Sequence, residues 1–228
     1  MNTPLPDPDP EPFDVDEVFR RLRLAVAGLP KAAMFDLRDR GFASPFEQLV
    51  GSLISARTRD EDTMAVGLRL FAVARTPGAM AKLGEQTLAG LLLGASFPGA
   101  KARDLIALSR TIVEEHGGAV PDTMAGLTAF RGVGPKIAAL TLAVGFDRPE
   151  IAVDIHVHRI ANRWGYVAAP TPEKTHAALE KVLPRRYWIE INERLVPFGK
   201  AVCTGTGPRC SACPLATMCR RVGVTRHR

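Results

Sequence analysis

The chain has 228 residues, of which 46% are hydrophobic and 24% are charged, as is ordinary for one large or two small globular domains. It contains no uninterrupted apolar run of about 18 residues, so we expect no membrane span and no membrane partner. Residues 1–13 are acidic and proline-rich and lack the basic start and apolar core of a secretory signal. We therefore expect a disordered tail there.

The net charge of +6 is unevenly distributed along the chain. Residues 1–19 contain six acidic and no basic residues, which leaves 30 basic and 18 acidic residues, or +12, for the remainder. An excess of this size favours a polyanionic partner, with nucleic acid first and an acidic membrane surface second. The alternative is an ordinary solvated surface without a specific partner.

Helical signals dominate the chain, and no convincing strand pattern is present. Ser44 predicts an N-cap, Pro45 a first helical residue and Glu47 a capping box, and apolar residues follow with helical spacing from Phe46 to Ile54. Further helices are predicted over 14–27, 60–74, 77–83, 85–93, 100–116, 122–129, 135–145, 155–164, 172–182 and 187–197. The sequence therefore predicts an all-α fold with short connections.

All four cysteines, Cys203, Cys210, Cys213 and Cys219, lie within 17 residues near the C-terminus. Four thiols this close in sequence can form two disulfides, a zinc site or an iron–sulfur site. The lack of a secretory signal argues against disulfides. Zinc ribbons usually split their ligands into two CxxC pairs, and only Cys210 and Cys213 form such a pair here, yet spacing alone leaves zinc and iron–sulfur both open.

A second motif, Phe130-Arg-Gly-Val-Gly-Pro-Lys-Ile-Ala138, joins two predicted helices. Gly132 and Gly134 permit close approach of a ligand to the backbone, and amides at the start of the next helix can bind phosphate. An ordinary tight turn between core helices is the alternative. Lys136 would lie in the first turn, where the helix dipole disfavours a cation, and with partial burial it would provide the neutral amine that Schiff-base chemistry needs.

Asp154 precedes a predicted helix and is expected to cap it. The helix over 135–145 is about 16 Å long at 1.5 Å per residue, and the connection over 146–153 is long enough to return along its full length. Asp154 can therefore lie beside Lys136, with both residues at helix starts. A carboxylate next to an amine is a candidate functional pair.

Residues from about 42 to 219 resemble the endonuclease III branch of the helix-hairpin-helix DNA glycosylases. The segments that carry the resemblance are SPFEQLVGSLISARTRD, FRGVGPKIA, IAVDIHVHRIANR and the C-x6-C-x2-C-x5-C spacing of the cysteines. The resemblance implies a 4Fe–4S cluster on Cys203, Cys210, Cys213 and Cys219, Lys136 as the nucleophile and Asp154 as the essential aspartate. It also implies Gly132 and Gly134 as the glycines of the hairpin.

The same resemblance implies two helical domains that flank a DNA-binding cleft. One is a six-helix barrel over 38–148 with the hairpin, and the other is a cluster domain built from 14–37 and 149–228. The implied activity is that of a bifunctional glycosylase and AP lyase of base excision repair, acting on oxidised pyrimidines in double-stranded DNA. We expect a monomer in the cytoplasm, associated with the nucleoid.

Removal of a base requires its extrusion from the duplex, and a side chain must fill the gap. Arg57 lies where the family usually has a wedge glutamine, and Phe97 lies where it often has an intercalating leucine. His156 and Arg209 are further candidates for DNA contacts. The alternative for His156 is a structural role within the protein, and the alternative for Arg209 is an ordinary solvent-exposed side chain. Solvated or core-anchoring roles are likewise the alternatives for Arg57 and Phe97.

The sequence departs from the family pattern before the hairpin, where Phe130-Arg131 replaces Leu-Pro, and at Ile137 and Ile155, where threonine is usual. We expect the core reaction to survive, since neither threonine hydroxyl is the nucleophile. Two other functions stay open: a mismatch-specific adenine DNA glycosylase, a branch that usually lacks the lysine, and a non-catalytic DNA-binding iron–sulfur protein.

Overall fold

The structure, a computed structural model, describes residues 12–228 and divides them into two compact units. The central unit comprises Lys31–Ala152 and Pro184–Glu193. The terminal unit comprises the described residues through Pro30, Val153–Leu183 and Arg194–Arg228. The predicted tail lies largely outside the described residues, which begin at position 12.

The described part of the chain is helical, as predicted, and within it an isolated bridge between Leu93 and Ala95 is the only β-type pairing. The helices are α1 (Val15–Val26), α2 (Ala33–Asp39), α3 (Pro45–Ser55), α4 (Asp60–Phe71), α5 (Pro77–Ala81), α6 (Glu85–Leu91), α7 (Pro98–Glu115), α8 (Met124–Thr128), α9 (Pro135–Leu140), α10 (Ile155–Trp164), α11 (Pro172–Val182) and α12 (Glu190–Ala201). A π-helical turn (Thr141–Gly145) continues α9.

The start of α3 follows the predicted local chemistry. The Ser44 side chain accepts a hydrogen bond from the Glu47 amide, and the Glu47 carboxylate accepts one from the Ser44 amide. This capping box satisfies two amide groups that a helix start otherwise leaves without partners. Glu47 is buried and also pairs with Arg75 at 2.6 Å, which links α3 to the segment after α4.

Two helices differ from the sequence prediction. Helix α2 was missed because its N-cap, Ala32, makes no side-chain hydrogen bond, and the helix is held by burial of its apolar residues and by the buried Gln48, whose amide donates to the Met34 carbonyl. Helix α12 was predicted to end at Pro197 but continues to Ala201. Val196 and Phe198 are buried on either side of the proline, so packing overrides the low helix propensity.

Each unit has its own buried apolar residues. In the central unit they come from α2, α3, α4 and α7, and they include Phe35, Leu49, Leu70 and Leu105. In the terminal unit they come from α1, α10 and α12 and from the C-terminal loop, and they include Phe19, Ile160, Phe198 and Leu215. Residues 184–193, which the sequence analysis assigned to the cluster domain, lie in the central unit.

Across residues 12–228, no helix combines the length and the apolar character that a membrane crossing requires.

Candidate functional site

The predicted hairpin is present in the central unit. Thr123 caps α8, the chain turns through residues 129–134, and α9 begins at Pro135. Gly132 adopts a φ of +83°, which glycine reaches without steric cost, and the Val133 amide donates to the Phe130 carbonyl at 3.1 Å to close the turn. Gly134, the N-cap of α9, supplies no side-chain hydrogen bond to the helix start.

Lys136 is the second residue of α9. Its side chain is exposed, so the partial burial expected from the sequence is not observed. Within residues 12–228 its amine has no hydrogen bond and no ion pair, whereas the neighbouring Ile137 is buried. The protein therefore anchors this turn through Ile137 and presents the amine of Lys136 to solvent.

Asp154 is the N-cap of α10 in the terminal unit, as the sequence predicted. Its Oδ1 accepts hydrogen bonds from the amides of His156 and Val157 at 2.9 and 2.8 Å. Oδ2 accepts none from the described part of the chain, and the residue is half-buried. One oxygen thus fixes the side chain on the helix start while the other stays available. Lys136 belongs to the central unit, so the proposed pairing of the two residues stays a prediction.

Arg57 and Phe97 lie on two loops of the central unit and are both exposed, Phe97 to 62%. They adopt left-handed backbone conformations, with φ of 59° and 56°. Such a conformation costs a non-glycine residue roughly 1–3 kcal/mol and often marks a functional position. The Arg57 guanidinium carbon lies 5.5 Å from the centre of the Phe97 ring, so the two side chains form one exposed pair.

The four cysteines line one pocket of the terminal unit. Trp164 and Phe198 form part of its apolar wall. Arg163 lies at the edge, where its guanidinium donates to the Cys203 sulfur at 3.4 Å and to the Thr204 carbonyl at 2.6 Å. Sequence reasoning missed Arg163, because its role depends on contacts 40 residues away.

The environment of the thiols is apolar and brings them close to one another. Burial, as the main cause, and the neighbouring cysteines, as smaller ones, together raise the pKa of the Cys213 thiol to about 11. Burial also raises the pKa of Cys210 and of Cys219. In residues 12–228, no three His, Cys, Asp or Glu side chains are arranged to hold a metal ion. The pocket therefore places the four thiols in one largely apolar environment.

His156 and Arg209 both lie in the terminal unit. The Nδ1 atom of His156 lies 3.0 Å from the guanidinium of Arg159, and because arginine only donates, Nδ1 is the acceptor. The ring also lies against Gly199, where a Cβ atom would come within 2.4 Å of Nδ1. The Arg209 side chain is exposed at the cysteine pocket. His156 is thus held in place by its surroundings, whereas Arg209 projects into solvent.

Comparison with known proteins agrees with this geometry. Residues 50–185 match the HhH-GPD superfamily of base excision DNA repair proteins. Endonuclease III of Thermotoga maritima is 42% identical over 80% of this chain and 85% of that protein, and endonuclease III of Escherichia coli K12 is 34% identical over 79% and 86%. A trapped covalent intermediate of endonuclease III with DNA superimposes with a TM-score of 0.79 and 26% identity, covering 91% of this chain and 94% of the other.

These relatives cover most of the chain and include both the hairpin and the Asp154 segment. A non-covalent complex of endonuclease III with DNA superimposes equally well, with a TM-score of 0.79. The expected family, all-α fold and DNA substrate are thereby confirmed, and proteins of this family generally contain an iron–sulfur group. The chain belongs to the endonuclease III family within the HhH-GPD superfamily, and it is a DNA glycosylase and AP lyase of base excision repair.

Proposed function

We propose that this enzyme excises oxidised pyrimidines from double-stranded DNA and cuts the abasic strand through a Schiff base on Lys136. The observation that carries the proposal is the position of this lysine, exposed in the first turn after the hairpin and without a partner among the described residues. The likeness to a trapped covalent complex of endonuclease III with DNA supports a reaction through a covalent intermediate.

In this reaction the neutral amine of Lys136 attacks C1′ of the extruded nucleotide. The glycosidic bond breaks, and the base leaves with the bonding electrons and takes up a proton. The sugar ring opens to an iminium ion, which acidifies the C2′ proton. Removal of that proton forms the C2′=C3′ double bond and expels the 3′ phosphate, so the strand is cut. Hydrolysis of the imine then releases the enzyme.

Asp154 is proposed to stabilise the positive charge that develops on the sugar and to assist proton transfer. Its fixed Oδ1 and available Oδ2 support this role, because the backbone of α10 orients the carboxylate before substrate binds.

The remaining candidates are proposed to bind DNA. The backbone at Gly132 and Gly134 would accept a phosphate, and Arg57 and Phe97 would fill the gap left by the extruded base. The exposure of Arg57 and Phe97 and their contact with each other support this role. His156 and Arg209 are proposed as phosphate contacts.

Cys203, Cys210, Cys213 and Cys219 are proposed to hold one 4Fe–4S cluster. The support is the C-x6-C-x2-C-x5-C spacing, in which only Cys210 and Cys213 form the CxxC pair that zinc ribbons use twice, together with the iron–sulfur group that endonuclease III proteins generally contain. The four thiols line one pocket with an apolar wall, and in a 4Fe–4S cluster each iron atom is bound by one cysteine. When bound, the cluster would fix the C-terminal loop and take no part in base excision, which needs no net electron transfer.

The purified protein should therefore be brown, with broad visible absorption and about four iron atoms per chain, as expected for such a cluster. Cys213→Ser should abolish the colour, because Cys213 is one of the four proposed ligands. A colourless protein with one stoichiometric zinc ion would contradict the assignment.

The activity itself is tested by borohydride trapping on a duplex that contains one oxidised thymine. Borohydride reduces the imine, so we expect a stable protein–DNA adduct together with strand cleavage. The control is the same duplex with intact thymine, which should give neither product. If the oxidised duplex gives no adduct, or if the adduct forms only with an adenine mismatch, the proposed substrate is wrong.

Three more general expectations accompany this proposal. We propose that a barrel domain over 38–148 and a cluster domain over 14–37 and 149–228 correspond to the central and terminal units, from which their bounds differ at 31–37, 149–152 and 184–193. The enzyme is proposed to act as a monomer, in the cytoplasm and in association with nucleoid DNA.

A further inference from the structure

The two loops that carry Arg57 and Phe97 are joined to each other. The α3–α4 loop is residues 56–59 and the α6–α7 loop is residues 92–97, and both belong to the central unit. The Ser96 hydroxyl donates to the Arg57 carbonyl at 2.5 Å, and the Ser96 amide donates to the Thr58 hydroxyl at 3.0 Å. Ser96 thus binds the residues on both sides of the Arg57–Thr58 peptide bond.

Lys101 makes a second link between the two loop regions. It lies in the first turn of α7, and its amide donates to the carbonyl of Phe97 at 3.0 Å. Its amine donates to the carbonyls of Ile54 and Ala56 at 2.6 and 2.9 Å and to the Thr58 hydroxyl at 3.1 Å. The side chain therefore connects the start of α7 with the end of α3 and the loop that follows.

An ammonium group has three N–H donors, and each is matched here by one acceptor. No donor of Lys101 is left for a DNA phosphate, and the half-buried amine cannot reach a sugar without breaking these bonds. Burial lowers the pKa of Lys101 to about 8, so the amine still carries its charge at neutral pH. These contacts assign Lys101 a role within the protein rather than in contact with the substrate.

We propose that Lys101, together with Ser96 and Thr58, is the positioning residue that holds Arg57 and Phe97 as a preformed wedge for the DNA stack. Both wedge residues have left-handed backbone conformations, which persist only where the surroundings impose them. Lys101 binds the carbonyl of Ala56, directly before Arg57, and Ser96, directly before Phe97, binds the carbonyl of Arg57 itself. Both also bind the Thr58 hydroxyl, directly after Arg57, so the constraint acts where the left-handed conformations lie. This inference rests on the proposed entry of Arg57 and Phe97 into the duplex.

A preformed wedge lowers the cost of extrusion, because the loops need not be ordered when DNA binds. When Lys101 is removed, both residues can relax to ordinary backbone conformations and the side chains separate. The enzyme should then lose activity on duplex DNA, where a gap in the stack must be filled. It should keep activity on a single strand, where no stack opposes extrusion.

The test compares Lys101→Met with Lys82→Met, which removes an exposed lysine of the same unit that has no partner in residues 12–228. We expect Lys101→Met to lower single-turnover excision from duplex DNA by about tenfold and to change excision from a single strand by less than about twofold. Lys82→Met should match wild type on both. Equal losses on duplex and single strand for Lys101→Met would overturn the proposal.

A second readout does not depend on excision. Protein is added at saturation to a duplex with an abasic-site analogue opposite 2-aminopurine, whose fluorescence rises when its stacking is disturbed. The rise should be at least halved in Lys101→Met and in Phe97→Ala and unchanged in Lys82→Met. A full rise with Lys101→Met would overturn the positioning role, whereas a missing borohydride adduct with wild type would overturn the proposed chemistry instead.

Ser96→Ala provides a variant with a smaller perturbation, in case Lys101→Met does not fold. It removes only the bond to the Arg57 carbonyl, and we expect a smaller loss confined to duplex DNA. If the hydrogen bonds of Lys101 and Ser96 hold the same loop conformation, the double variant should lose no more excision activity on duplex DNA than Lys101→Met alone. Independent, multiplicative losses would contradict a single preformed wedge.

Discussion

Two helix starts carry the proposed catalytic residues, and they differ in how their amide groups are satisfied. At the start of α9, Gly134 gives no side-chain cap, and the amides of Lys136 and Ile137 have no acceptor in the described part of the chain. At the start of α10, Asp154 accepts from two amides through one oxygen. The first start is open to an anionic ligand, whereas the second is closed by its own carboxylate.

The difference shows that a helix start can serve two different functions. An open start provides donors for a phosphate and tolerates a lysine whose charge the helix dipole disfavours. A capped start holds a carboxylate in a fixed orientation, because that carboxylate also stabilises the helix. Substitution at α9 should therefore change chemistry and binding, while substitution at α10 should change both rate and stability.

The largest effect is expected for Lys136→Gln. Since the proposed reaction forms a covalent bond to this amine, strand cleavage and the borohydride adduct should fall by at least about a thousandfold. Lys136 has no partner among the described residues, so the free energy of unfolding should stay within about 0.5 kcal/mol of wild type. Single-turnover cleavage, borohydride trapping and urea unfolding measure these quantities.

Lys82→Gln is the matched control for Lys136→Gln, because it removes one exposed lysine of the same unit. It should keep full activity. A Lys136→Gln enzyme that still forms the adduct would show that another amine is the nucleophile.

The two helix starts were predictable from sequence because their signals are local. Gly132, Gly134 and Pro135 specify a turn followed by a helix, and Asp154 is a strong N-cap at any helix start. The exposure of Lys136 was not predicted, because the burial of a side chain depends on neighbours that are distant in sequence.

The same limit applies to the loops and to the cysteine pocket. The role of Lys101 depends on carbonyls 45 and 47 residues away, and no pattern around it in the sequence indicates those bonds. Helix α2 was missed for a related reason, since it is held by burial rather than by a cap. Cysteine spacing indicated that the four thiols could converge, but the choice of bound group follows from chemistry that spacing does not specify.

A smaller effect, on two properties at once, is expected for Asp154→Asn. The rate of base release should fall by about a hundredfold, because the neutral asparagine amide lacks the negative charge that stabilises the positive charge developing on the sugar. The free energy of unfolding should fall by about 0.5–1 kcal/mol, since asparagine still caps the helix but loses the favourable interaction with its dipole. Single-turnover kinetics and urea unfolding separate the two losses.

Asp154→Ser is the control for Asp154→Asn, because serine is also a good N-cap and also lacks the charge. The two variants should lose rate to a similar extent. If either retains wild-type rates, the carboxylate serves only as a cap, and its catalytic assignment is wrong.

The smallest effects are expected at the two hairpin glycines, which should respond in opposite ways. Gly134→Ala places a methyl group where nothing lies within 4 Å and where φ is −91°, so the fold should accept it. The methyl group would collide with a phosphate bound at the open start of α9, so affinity for duplex DNA should fall about tenfold. Because one phosphate contact is lost, the slope of the logarithm of the binding constant against the logarithm of salt concentration should become shallower by about one unit. Gly132→Ala instead forces alanine to a φ of +83°, which should cost about 1–2 kcal/mol of stability.

Urea unfolding and DNA titrations at two salt concentrations distinguish the two variants. Wild-type DNA affinity in Gly134→Ala would mean that the open helix start binds no phosphate, and the contrast with the capped start of α10 would then concern stability alone.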